Sequence, residues 1–110
     1  VLETLLQPGD TDERCGLILK DGTVVELANL ASDPKTSFEM DLEAALPHLD
    51  SETVVATWHT HPDGDPNLSG EDYSCFLSWP DLEHVIVGVL GGTVTVRRYR
   101  VEQGLVIACD

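Results

Sequence analysis

The chain has 110 residues, 42% of them hydrophobic and 24% charged; this is the make-up of a globular domain rather than a disordered segment, and the length holds one core but not two. Twenty Asp and Glu against six Lys and Arg give a formal charge of −14, which repels phosphate backbones and excludes nucleic-acid binding through a basic groove. No apolar run approaches the roughly 18 residues of a membrane helix, and no leader with a basic start is visible, so no membrane contact is expected and the expected location is the cytoplasm.

Residues 1–110 are therefore read as a single domain, whose elements follow in order. Residues 1–8 hold a short helical piece with Leu2, Leu5 and Leu6 on one side, broken by Pro8-Gly9-Asp10. Cys15 to Leu19 is a compact apolar run, and Thr23 to Leu27 is a second; the Lys20-Asp21-Gly22 between them predicts a hairpin. Ser37 to Asp41 is expected to form another short strand. Asp41 to Leu49 is predicted helical, with Asp41 as N-cap and Leu42, Ala45, Leu46 and Leu49 on the buried face.

Thr53 to Trp58 is β-branched and apolar and reads as a buried strand running into His59-Thr60-His61-Pro62. A turn-rich loop, Asp63 to Leu68, precedes a helix that starts at Ser69 and turns Tyr73, Phe76 and Leu77 inward. Glu83 to Leu90 is a strand, Gly91-Gly92 a tight turn, Thr93 to Val101 its partner, and Leu105 to Cys109 a last strand. The expected fold class is α/β: a single mixed, largely antiparallel sheet flanked by helices.

The three cysteines, Cys15, Cys75 and Cys109, form neither an even set nor a C-x-x-C pair, so buried reduced thiols are expected rather than a disulfide framework. Arg97, Arg98 and Arg100 are the one basic cluster and fit ordinary surface pairs. The acidity suits a basic partner, a salty cytoplasm or plain solubility.

The chemistry concentrates between His59 and Asp72. Two histidines one residue apart at a strand end face the same side, because strand side chains alternate with period two. Both imidazoles can then reach one metal. Asp72, eleven positions after His61, can fold back in the first turn of the next helix. Two His, one carboxylate and a water make the open tetrahedral site of a catalytic zinc. The same residues also read without a metal: Ser69 as N-cap, and Asp72 as an acid at the positive helix end. Glu13 reads on its own as a surface charge beside Asp10, Asp12 and Arg14, and His48 and His84 as ordinary surface or core histidines.

His59-Thr60-His61, seven further residues beginning with Pro62, then Ser69, two residues and Asp72 together resemble the H-x-H-x7-S-x2-D motif of JAMM (MPN-plus) metalloproteases. Glu13 ahead of Cys15-Gly16-Leu17-Ile18-Leu19 is similar to the glutamate and Cys-Gly strand upstream of that motif. The resemblance spans most of the chain and implies a JAMM/MPN, cytidine-deaminase-like architecture. Asn29, Ala31-Ser32-Asp33-Pro34 and Ser37 to Asp41 resemble the N-terminal domain of phage-tail assembly protein K-like peptidases and small bacterial relatives. His61 to Pro66 is also similar to RadC-type proteins. In tail proteins a cysteine-peptidase domain often follows; these 110 residues contain none.

Carried over, the resemblance implies that His59, His61 and Asp72 bind one Zn2+ per chain, Glu13 is the general base and Ser69 helps stabilise the oxyanion. It implies hydrolysis of a peptide or isopeptide bond in a peptide or protein conjugate, and a possible homodimer. Two other readings stay open. One is a non-catalytic MPN-like binding module, or a peptidase component that works only with a partner or a second domain. The other is a non-haem iron enzyme, which uses two His and one carboxylate as well.

Overall fold

The computed structural model describes residues 2–109. A 3-10 helix at Leu2–Leu5 comes first. It is followed by strands β1 (Cys15–Leu19) and β2 (Val24–Leu27), helix α1 (Leu42–Asp50), strand β3 (Val54–Thr60), helix α2 (Gly70–Leu77) and strands β4 (Glu83–Leu90), β5 (Thr93–Glu102) and β6 (Leu105–Ala108). The strands form one six-stranded sheet in the order β2-β1-β3-β4-β5-β6. Among the described residues only β3 and β4 run parallel, joined across α2, and the other paired strands are antiparallel. The expected mixed, largely antiparallel α/β fold is the observed one.

Period-two alternation sorts the central strands onto two faces. On one face Trp58, Val85 and Val87 pack with Leu6, and the 3-10 helix covers them through Leu2 and Leu5. Trp58 is fully buried, and its indole N–H donates to the Val25 carbonyl at 3.2 Å. The indole lies over Gly16, where a Cβ would stand 2.6 Å from Trp58 Nε1 and 1.9 Å from the Val25 oxygen, so only glycine fits.

The other face carries both helices. Leu17, Leu27 and Ala45 form a cluster under α1, and Phe76, Ile86 and Tyr99 form one under α2. Both helices are N-capped by a side chain: Asp41 Oδ1 accepts from the Ala44 N–H, and Ser69 Oγ accepts from the Asp72 N–H.

Three expectations need correction. No strand forms at Ser37 to Asp41; the segment makes a single antiparallel bridge, Asn29 with Met40, because the Asn29 side chain takes up the neighbouring backbone groups. The buried stripe of α1 is narrower than four leucine-type positions. Ala45 and Leu49 meet the sheet, whereas Leu42 and Leu46 are half exposed, since the helix touches the sheet along one ridge. On α2, Phe76 is buried, Tyr73 is half-buried and Leu77 is at the surface. Among the described residues no helix is long and apolar enough to cross a membrane.

Candidate metal centre

Strand β3 ends in His59-Thr60, and His61 follows as the chain leaves the sheet. Thr60 is held in the ladder by reciprocal bonds with Arg14: its N–H donates to the Arg14 carbonyl, and the Arg14 N–H donates to Thr60 Oγ1, both at 2.9 Å. The two imidazoles flanking Thr60 turn to the helix face, with their Nε2 atoms 3.2 Å apart.

Helix α2 brings the carboxylate. Its capping box is complete: Ser69 Oγ accepts from the Asp72 N–H at 3.1 Å, and Asp72 Oδ2 accepts from the Ser69 N–H at 3.0 Å. The cap fixes the Asp72 rotamer. Its Oδ1 lies 3.1 Å from His59 Nε2, and its Oδ2 lies 3.2 Å from His61 Nε2. The helix-start reading and the ligand reading of Asp72 therefore describe one arrangement, not two rivals.

Two imidazole nitrogens and one carboxylate are donor types that fit a tetrahedral zinc site. Ligands about 2.0–2.1 Å from zinc stand roughly 3.3–3.4 Å apart along a tetrahedral edge. The two nitrogens stand 3.2 Å apart, close to that edge, and each meets a different oxygen of the Asp72 carboxylate, at 3.1 and 3.2 Å. His61 Nδ1 lies 2.8 Å from the Asp65 carbonyl, which can only accept. With Nδ1 engaged there, a metal would take the place of the Nε2 proton that His61 otherwise shares with Asp72.

The loop supplying that carbonyl is seated on β4. The Val89 N–H donates to the Gly64 oxygen at 2.8 Å, and the Tyr99 hydroxyl donates to the Pro66 oxygen at 3.0 Å. At Gly88 a Cβ would stand 2.6 Å from the Gly64 oxygen and 2.7 Å from Asp65 C and Pro66 N. Gly88 thus leaves room for the backbone of this loop where any side chain would collide with it, a position outside the motif and signalled only by a glycine inside an apolar strand.

Glu13 joins the site from ahead of β1. It is 8% exposed, so the surface-charge reading does not hold. Among the described residues, Glu13, His59 and His61 place one donor atom each within 4.8 Å of one another. Burial drives the Glu13 carboxyl up to about 7, His61 counteracts, and Asp72 and Glu71 push the same way as burial. Asp72 behaves oppositely: burial would raise it, but the bonds from His59 and His61 outweigh burial and hold it far below the usual carboxylate range. Burial lowers His59, whereas in His61 Asp72 and the Asp65 carbonyl overcome the same effect and raise it. Two carboxylates with opposite shifts thus share one site.

The walls are aromatic. Phe38 stacks on the His59 ring at 4.2 Å between centroids, and Phe76 meets it from below at 6.0 Å. A recess of about 210 Å3 opens beside Phe38 between the two helices and the sheet, lined by Leu17, Met40, Leu42 and Trp79 among others. Sequence reasoning missed Phe38 as a wall, since its segment was expected to be a strand.

Cys15 is wholly buried, and burial pushes its thiol up to about 12. It stands as the expected inert thiol. His84 is buried away from the ligand set, and His48 sits in the last turn of α1.

The comparisons with known proteins agree with this geometry. Residues 4–102 match the family of prokaryotic homologs of the JAB domain, and the chain belongs to that family. A desampylase from Haloferax volcanii is 29% identical over 85 residues, covering 67% of this chain; the match spans 60% of that relative's own length. Two solved structures share the fold. One, from Desulfitobacterium hafniense, has a TM-score of 0.75 at 21% identity and covers 99% of this chain and 83% of its own. The other, from Salinibacter ruber, has a TM-score of 0.55 at 19% identity over 100% of this chain and 81% of its own.

Proposed function

We propose that this prokaryotic JAB-family domain is a zinc-dependent isopeptidase or peptidase whose substrate is a conjugate of a ubiquitin-like protein. The observation that carries the reading is the set of three donors, His59 Nε2, His61 Nε2 and the Asp72 carboxylate, at mutual separations of 3.1–3.2 Å. The likeness to an archaeal desampylase supports the substrate class.

In this reading His59, His61 and Asp72 hold one Zn2+. The ion supplies Lewis acidity and lowers the pKa of water to roughly 7, so that a nucleophile is available at neutral pH. Glu13 stands off from the nitrogens by up to 4.8 Å, close enough to take the proton of the attacking water. Buried beside the two imidazoles, it is placed both to accept that proton and to hand it on to the leaving amine as the C–N bond breaks. Ser69 Oγ accepts from the Asp72 N–H, which leaves its own proton for the oxyanion; one such donor contributes about 3 kcal/mol.

The test is metal analysis of tag-free protein beside His61→Ala and Asp72→Ala, followed by incubation with branched and linear conjugates of a small ubiquitin-like protein. One zinc per chain, lost in both variants, is expected, with cleavage that a chelator stops. Glu13→Gln should keep the zinc and slow cleavage by about 10²–10⁴-fold to a measurable residual rate. Failure to take up added zinc, or full cleavage by Glu13→Gln, would overturn the reading.

A further inference from the structure

Glu13 precedes β1, so the sheet ladder does not hold its main chain. Its N–H donates to the Pro34 carbonyl at 2.6 Å, and its carbonyl accepts from Asn29 Nδ2 at 2.8 Å. Both main-chain groups of Glu13 are therefore tied to the segment 29–40. Asn29 is the clasp of that segment. Its Nδ2 also donates to the Ser37 carbonyl at 3.0 Å, and its Oδ1 accepts from the Ala31 and Glu39 N–H groups, each at 3.0 Å. Two acceptors face the nitrogen and two donors face the oxygen, so only one orientation of the amide fits. The same segment lays Phe38 on His59.

We propose that Asn29 is the positioning residue for Glu13: one side-chain amide fixes the main chain of the general base and, through the segment it closes, the aromatic wall over His59. The proposal rests on the reading of Glu13 as general base. It gives the segment 29–40 a role in the reaction, although none of its side chains need touch the metal. Aspartate separates the two halves of the clasp. Asn29→Asp keeps the bonds accepted by Oδ1 and loses those donated to Glu13 and Ser37; Asn29→Ala loses all four.

The experiment measures zinc affinity, kinetics and NMR on both variants. Zinc affinity is expected to be unchanged. A misplaced base should lower kcat by about 10²-fold with KM little affected. In a Glu13→Gln background the same substitutions should have no further effect on kcat, which a merely structural role would not produce. In metal-free protein, cross-relaxation between the Glu13 side chain and the His61 ring should weaken in both variants. The Glu39 amide should lose its exchange protection only in Asn29→Ala. A folded Asn29→Asp with wild-type kcat, or with Glu13–His61 cross-relaxation intact, would overturn the proposal. If the wild-type zinc protein cleaves no conjugate, the functional reading falls on its own, and the cross-relaxation still decides this one.

Discussion

His59 and His84 make the instructive comparison. Both are buried, at 1% and 0% exposure, on neighbouring parallel strands. Both lie against Phe76: His84 is stacked on it at 4.2 Å and 9°, and His59 is tilted toward it at 6.0 Å. Burial lowers the pKa of both rings. Their nitrogens differ. His84 Nδ1 lies 2.7 Å from Thr57 Oγ1, and its Nε2 lies 3.0 Å from the Trp79 carbonyl, so the ring donates at Nε2 and accepts at Nδ1. Both of its sites are filled by uncharged neighbours. His59 instead turns Nε2 toward a carboxylate and a second imidazole. Burial alone does not mark a candidate ligand; a nitrogen turned toward a carboxylate and a second imidazole does.

The largest expected effect sharpens that contrast. His59→Ala should abolish zinc binding and cleavage while leaving a cooperative fold. His84→Ala should do the reverse. It orphans Thr57 Oγ1 and the Trp79 carbonyl and leaves a cavity beside Phe76, costing about 2–4 kcal/mol, with zinc affinity retained in the folded protein. Urea unfolding beside zinc competition reads both. Equal zinc loss in the two variants would erase the distinction.

The next effect concerns the loop that orients the other candidate ligand, His61. Gly88→Ala drives a Cβ into backbone at Gly64 and Asp65, so the loop must lift and the Asp65 carbonyl leaves His61 Nδ1. Loss of such a partner lowers metal affinity by about 10–100-fold, and the sheet, whose ladder is untouched, should stay folded. Unchanged zinc affinity in Gly88→Ala would show that the loop can move without carrying the Asp65 carbonyl away.

The contrast also explains what the sequence disclosed. The sheet was legible strand by strand because alternation and the Asp21-Gly22 and Gly91-Gly92 turns are local signals. His59, His61, Ser69 and Asp72 were legible as a spaced set, and the structure brings all four together with Glu13. The part that escaped depends on side chains filling backbone bonds at a distance. Asn29 closes its segment by four bonds to residues 2 to 16 positions away, so a stretch with strand composition became a loop. Leu42 and Leu46 have helical periodicity, yet each keeps about half of its surface exposed. Gly88 is silent in periodicity and speaks only through the loop pressed on it.

A third prediction uses the opposed carboxylates. Glu13 is raised from 4.5 to about 7 in the fold, so the folded state holds its proton more tightly than the unfolded chain. The contribution of Glu13 to the stability of the metal-free protein is therefore lost as pH rises from about 4.5 to 7, and the loss is complete above that. Glu13→Gln should match wild type near pH 4 and melt several degrees higher at pH 8 without metal. A pH-independent difference would mean that Glu13 is not buried as a carboxylate.

The smallest effect isolates what a cap does from what a catalytic group does. Asp41→Ala and Ser69→Ala each remove a side chain that accepts from the first turn of a helix, and each should cost about 1 kcal/mol. Their stability losses should therefore be alike. Their kinetic consequences should not. Asp41 caps α1, which bears no ligand, whereas Ser69 caps the turn that aims Asp72 at both imidazoles and carries the hydroxyl assigned to the oxyanion. Ser69→Ala should lower kcat far more than its lost stability accounts for, and Asp41→Ala should leave kcat at the wild-type value. Ser69→Thr restores the cap with a hydroxyl on a bulkier carbon. If it recovers stability and not turnover, the hydroxyl needs its exact placement toward substrate; if it recovers both, cap and donor are the same oxygen serving two partners.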